Sequence, residues 1–355
     1  MNITRLLIQN FRNLPLVQLN PSSSFNVIHG INGSGKTSLI EAISYLGLGR
    51  SFRTSKISSL IRNEEPFFVI SAQVDNHKAI TDSIAICRHR NKDIQVKVNN
   101  QNSSRLVDLV EKICVQVIHP QGIELITDGP ELRRNYMDWG VYYSNPDFKD
   151  AWMRYRKLLL QRNTLLKNHS DIESIRVWDD QFAHYGELIS KFREEYIEKL
   201  TPILVEKIRV FLPKFDVKVI FQKGWQNGLQ LRSVLDSNLE KDRVLGYTFY
   251  GCHRAELKLK CNGFSASETL SRGQLKLLVC AMRLSQGELL KSQTGKTSVY
   301  LVDDLSSELD KNSQQLLLGE LVRLESQVFI TNITKELDLP NVESVLYLDI
   351  ANAIS

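Results

Sequence analysis

Hydrophobic and polar residues alternate over residues 3–9, the period of a half-buried strand. Residues 25–29, Phe-Asn-Val-Ile-His, form a short apolar run that enters a glycine-rich loop, and an apolar helical stretch follows over 37–46. Further strands are predicted over 67–74, 80–88 and 93–98, with Asn99-Asn100 supplying the turn after the last, and over 113–118. A loop containing Pro120, Gly122, Gly129 and Pro130 comes next. From about 147 to 210 the period becomes helical. Trp178, Phe182, Tyr185, Ile189, Phe192 and Tyr196 draw one apolar seam along a helix, and Trp152, Tyr155, Leu159 and Leu166 draw another before it. Residues 168–171 link the two, so the segment predicts a short antiparallel arm; a 25-residue helix reaches roughly 38 Å. After Pro213 the pattern predicts a strand over 217–222, a helix over 273–290, a strand over 299–302 that ends in two acids, a helix over 311–325 and a last central strand over 328–331.

Composition changes this picture little: 42% hydrophobic and 24% charged residues suit a chain that buries a core. No apolar run approaches the ~18–20 residues of a membrane helix, and the first residues lack the pattern of a secretory signal; the expectation is a cytoplasmic protein without a membrane partner. Cys87, Cys114, Cys252, Cys261 and Cys280 are too widely spaced for a disulfide framework or a zinc site. Charge is more informative in its distribution than in its net value of +5. Residues 1–63 hold seven Lys and Arg against the single acid Glu41, and residues 149–167 are also strongly basic, whereas residues 303–355 hold ten acids and three bases. Such polarity can present a basic face to a polyanion.

Gly30-Ile31-Asn32-Gly33-Ser34-Gly35-Lys36-Thr37 has the form G-x4-G-K-[ST], between a strand and a helix as that motif requires. Its glycines let successive N–H groups turn inward on phosphate oxygens, and the helix adds its positive end. Lys36 is placed to bridge the β- and γ-phosphates of ATP, and the Thr37 hydroxyl to hold Mg²⁺. The acidic strand end, Val302-Asp303-Asp304, supplies the complement: Asp303 as a second Mg²⁺ ligand and Asp304 to polarise the attacking water.

Leu270-Ser271-Arg272-Gly273-Gln274, opening a helix, and Ser307-Glu308-Leu309-Asp310, following the acidic strand, resemble the signature and D-loop of ABC-type ATPases. A signature acts on nucleotide held by a second head. Ser271, Gly273 and the helix N-terminus then grip the γ-phosphate of the opposite subunit, with Arg272 and Gln274 beside them. With one set of motifs per chain, a two-fold homodimer with ATP between its halves is expected.

Together with Phe11-Arg12-Asn13, Gly49 to Arg53, Arg133-Arg134, Asp138-Trp139, Lys157 to Asn163, Trp178-Asp179 and His253-Arg254, these motifs resemble the RecF family, head-only relatives of the SMC chromosome proteins. The resemblance implies an α/β fold: an ABC/SMC-type P-loop ATPase head built from residues 1–125 and 246–355, with an inserted helical lobe over 126–245. It also implies ATP-dependent pairing on double-stranded and gapped DNA, in repair and replication restart, with RecO and RecR as partners in loading RecA on SSB-coated strands. It carries over Arg12 to the nucleotide phosphates and makes Gln121 the Q-loop candidate. Two departures imply slow hydrolysis. Asp304 stands where ABC proteins usually have Glu, and a ~1 Å loss of positioning can cost on the order of 10²-fold in rate; Thr331-Asn332 stands where a histidine is usual. The DNA-contact candidates are Arg50, Arg53 and Lys56 after the phosphate-loop helix and Arg154, Arg156 and Arg162 on the arm, which would neutralise phosphates without reading bases. Against a transport ATPase subunit stand the helical insertion and the missing histidine; against a long structural tether, the short arm; against a fused nuclease, the lack of a further carboxylate-rich domain.

Overall fold

The structure, a computed structural model, describes residues 1–76, 80–91, 93–103, 105–305 and 309–353. In chain order its strands are β1 (Asn2–Phe11), β2 (Leu14–Leu19), β3 (Phe25–His29), β4 (Phe67–Asp75), β5 (Thr81–His89), β6 (Ile94–Val98), β7 (Gln101–Ser103) and β8 (Val115–Ile118). They continue with β9 (Val217–Gln222), β10 (Glu256–Cys261), β11 (Phe264–Ser265), β12 (Val299–Val302), β13 (Val328–Asn332) and β14 (Val345–Asp349). Two compact units result. One comprises Met1–Ile123, Val210–Leu212 and Arg272–Ser355; the other comprises Glu124–Arg209 and Pro213–Ser271.

The first unit holds two sheets. One runs in the order β14-β3-β13-β12-β8 with every neighbour parallel; the other is antiparallel in the order β2-β1-β4-β5-β6-β7. All four residues of β12 are buried, as expected of a parallel strand covered on both faces. The helix Lys36–Leu48 buries every residue from Ser38 to Gly47 and packs against strands of both sheets. Its Tyr45 meets Phe68 edge to face at 5.5 Å, and Phe68 meets Phe11 at 5.1 Å. Gly47 permits the close approach to β8, because a Cβ there would lie 2.2 Å from Val115 Cγ2. The buried amide of Gln327 closes the gap between the sheets: it bonds both the N–H and the carbonyl of Ile3 and also the carbonyl of Ser22.

The second unit is mainly helical, with helices Pro130–Ser144 and Phe148–Lys167 and most of Asp179–Phe211, and carries the small antiparallel sheet β11-β10-β9. Tyr155 stacks on Phe182 at 4.6 Å between two of these helices. The seam of Phe148–Lys167 is Phe148, Ala151, Tyr155, Leu158, Arg162 and Leu166, all buried; Trp152 and Leu159, expected on it, are half-buried beside it. This unit ends at Ser271, beyond the expected 245, because β10 pairs with β9 and the preceding loop is bonded to the helices: Arg193 donates to the Cys252 carbonyl, and Arg133 pairs with Glu256. Sequence patterning did not anticipate β2, β10, β14 or the helix Pro130–Ser144.

Candidate nucleotide site

β3 delivers the chain to the loop Gly30–Gly35, and the helix Lys36–Leu48 starts directly after it. Gly35, at φ 110°, is the helix N-cap; a Cβ there would lie 2.6 Å from Leu14 Cδ2. Asn13 holds the same loop from the side, donating to the Gly33 carbonyl (3.0 Å) and accepting from Ser38 Oγ (2.7 Å). Lys36 Nζ folds back to the carbonyls of Gly30 (2.6 Å) and Ile31 (3.0 Å). Ile31, Asn32 and Gly33 are exposed, Ile31 to 78%, and Ser34 Oγ is buried without a hydrogen-bond partner.

Buried Asp303 follows β12. Its Oδ1 accepts from Thr37 Oγ1 (3.0 Å) and from Thr331 Oγ1 (2.8 Å). Burial raises its carboxyl above the usual range and the two hydroxyls oppose the rise. Thr331 also accepts the Asp304 N–H at 2.7 Å. Asp304 is half-buried and adopts φ 56°, a left-handed conformation unfavourable for a residue with a side chain. Thr331 thus sits on both acids, a role that sequence reading did not give it.

Arg12, expected at the phosphates, grips Glu41 of the phosphate-loop helix through two nitrogens (2.7 and 3.0 Å) and donates to the Ser59 carbonyl. The fully buried Glu41 also accepts from Ser51 and from Arg53 (3.4 Å). Gln121 lies exposed in the turn Pro120–Ile123. Before it, His119 packs on Phe52 at 4.8 Å; burial and Arg283 depress its pKa to about 4.

Ser271, Arg272 and Gly273 are exposed where the helix Arg272–Thr294 begins, with Gln274 half-buried behind them, and a Cβ at Gly273 would meet open space. Asp310 caps the helix Lys311–Arg323, accepting from the Ser313 N–H and hydroxyl at 3.0 Å each, and these bonds lower its pKa. Ser307 and Glu308 lie outside the described residues.

Arg50, Arg53 and Lys56 are exposed, as are Arg154, over the Tyr185 ring, and Arg156, over that of Trp152. Arg162 is not a surface cation. At 0% exposure it donates to Asp179 (2.8 Å), Asp242 (2.7 Å) and Thr248 (2.8 Å), which removes it from the DNA-contact candidates. Its position on the apolar seam is the reason. No helix among the described residues is long and apolar enough to cross a membrane.

The family model for the N-terminal domain of RecF, RecN and SMC proteins matches residues 2–347. A DNA replication and repair protein RecF from Shewanella sp. (strain MR-7) is 44% identical over 333 residues, which are 94% of this chain and 92% of the relative. The chain belongs to the RecF family of DNA replication and repair proteins. A RecF recombination mediator of the RecFOR pathway, solved with ATP, has the same fold with TM-score 0.88 and 28% identity, covering 99% of this chain and 96% of that one. The Smc head of Pyrococcus yayanosii shares the fold more distantly, at TM-score 0.57 and 14% identity, covering 93% of this chain and 92% of that one. The RecF family architecture is thus an α/β head of the SMC type.

Proposed function

We propose that this RecF-family chain is an ATP-operated pairing switch on DNA, acting in recombinational repair and replication restart with RecO and RecR. The observation that carries the nucleotide part is the bond between Thr37, at the end of the glycine loop, and Asp303, at the end of β12. It brings an oxygen donor and a carboxylate together beside a loop whose curvature depends on Gly35. The match to a RecF solved with ATP supports the same reading.

Thr37 and Asp303 fit a divalent cation, since two hard oxygen ligands converge there; they would hold Mg²⁺, which would supply neutralisation of phosphate charge. The chain's own groups do the rest. The N–H groups of residues 33–37 and the N-terminus of Lys36–Leu48 bind phosphate oxygens. Lys36 exchanges its two carbonyl partners for phosphate oxygens, and Ser34 Oγ gains the partner it lacks. Asp304 orients water, held by the Thr331 bond to its N–H. Its short side chain makes hydrolysis slow, so ATP works more as a timer than as fuel. Ser271, Gly273 and Gln274 of a second copy complete the γ-phosphate cradle, and Asp310 lies beside that joint. The exposure of residues 271–273 at a helix start supports this role. Arg50, Arg53, Lys56, Arg154 and Arg156 remain the proposed phosphate contacts of bound DNA, duplex or gapped.

Sedimentation velocity with ATP, with ADP and without nucleotide tests the reading. ATP alone is expected to give a dimer, strengthened by duplex DNA. Ser271→Arg is expected to bind ATP yet stay monomeric. A Ser271→Arg protein that pairs normally, or a strictly monomeric wild type that hydrolyses ATP rapidly, would refute it.

A further inference from the structure

The segment after the helix Leu239–Leu245 turns at Gly246 (φ 72°); Tyr247 is then exposed, Thr248 buried, and Phe249 and Tyr250 half-buried. Thr248 points inward: its N–H and hydroxyl both donate to Asn163 Oδ1 at 2.8 Å, and the hydroxyl accepts from buried Arg162. The Phe249 N–H donates to Asp242, and His253 Nε2 bonds the Thr248 carbonyl. The buried ion cluster is thus a mount that fixes this loop. Its neighbours form a ladder of rings and cations. Arg254 lies over the rings of Tyr247 (5.4 Å) and Phe249 (5.8 Å), and Lys241 over those of Phe249 (3.5 Å) and Tyr250 (5.3 Å). Tyr247 is 37% exposed and Val244 beside it 86%. Both cations are exposed, and among the described residues neither has a carboxylate partner. Arg133, Arg162, Arg193, Arg232 and Arg243 of the same unit are all ion-paired.

We infer that the Tyr247–Arg254–Phe249–Lys241–Tyr250 ladder is a binding surface for single-stranded DNA. The inference rests on the reading of this chain as a DNA-binding protein and assigns that activity a place. Cations packed on rings keep their full charge for phosphates, while Tyr247, the exposed ring of the three, takes a stacked base without regard to sequence. A polyanion with flat apolar groups matches both features; a duplex, whose bases are stacked inside, uses only the charge. The rigid mount means that little ordering entropy opposes binding.

Fluorescence anisotropy of a labelled oligothymidylate and a labelled duplex, with the full chain and ATP, tests this. Tyr247→Ala should weaken oligothymidylate binding by about 5-fold or more, as loss of one stacked base does, with Tyr247→Trp retaining it and the duplex little affected. Lys241→Gln with Arg254→Gln should lower the slope of log affinity against log salt by about 0.7 per cation for the single strand. Unchanged affinity in Tyr247→Ala, or an unchanged slope in the double variant, overturns the inference. So does polyglutamate displacing the oligonucleotide equally from wild type and Tyr247→Ala, which marks a surface for acidic protein chains. Wild type that binds duplex but not oligothymidylate removes this surface and leaves the DNA reading standing; wild type that binds neither removes both.

Discussion

Thr37 donates a 3.0 Å hydrogen bond to Asp303, joining two residues 266 positions apart in the chain. Parallel pairing of β3 and β12 with the intervening β13 makes this possible, because all three strands end at the same edge of the sheet. An oxygen donor from the loop after one strand thereby meets a carboxylate that follows another.

Thr37→Val keeps the shape and deletes the donor. Asp303 retains its Thr331 bond, so the fold should survive with a loss of about 1 kcal/mol, the net value of one hydrogen bond. Urea denaturation reads that loss. Sedimentation should show that ATP no longer brings two copies together.

Thr331→Val strips a donor from Asp303 and an acceptor from the Asp304 N–H. Nucleotide binding should persist, since the glycine loop is untouched. Hydrolysis should fall on the order of 10²-fold, the cost of small misplacement at a reacting centre. Single-turnover phosphate release, compared with equilibrium binding of a fluorescent ATP analogue, separates the two effects.

Arg162→Met leaves Asp179 and Asp242 buried without their cation. Breaking a buried pair from one side costs about 3–5 kcal/mol, so the helical unit should lose most of its stability in urea. Arg156→Gln, at an exposed site, should change stability by less than about 0.5 kcal/mol.

His253 is held neutral, its pKa depressed to about 4 chiefly by burial. In the unfolded chain it takes up a proton below about pH 6.5. Stability is therefore fully present above that pH and falls as pH drops toward 4, by up to about 3 kcal/mol for this group. Thermal unfolding between pH 7.5 and 5 should show the slope, to which buried His119 adds in the same sense, and His253→Gln should lessen it without abolishing it.

The phosphate loop and the acidic strand end were legible because each motif carries its context: an apolar strand before Gly30, an apolar run before Asp303. Of the helical seam expected from spacing, Phe182, Ile189 and Tyr196 are buried, Tyr185 and Phe192 are half-buried, and Trp178 lies in the turn before the helix. Arg162 was misread because its charge was weighed and its position was not: it falls seven residues after Tyr155 and four before Leu166, on the buried face. Only the tertiary fold supplies the two aspartates that make a buried guanidinium tolerable. β10 and β14 escaped notice for a related reason. Glu256–Cys261 alternates, but charged Lys258 and Lys260 on its outer face dilute the apolar signal, and β14 has no fully buried residue. The place of Thr331 between the acids was invisible because a threonine ending a strand has no distinctive pattern; only the β12–β13 register brings it there.

The pairing of Phe25 with Val328 and with Val345 has a consequence for synthesis on the ribosome. β3 is made early, yet both of its neighbours are among the last strands translated. At about 5–20 residues per second, that strand waits on the order of 15–60 s for them. Until then an apolar segment stands with both edges bare, a natural point of engagement for chaperones on the nascent chain.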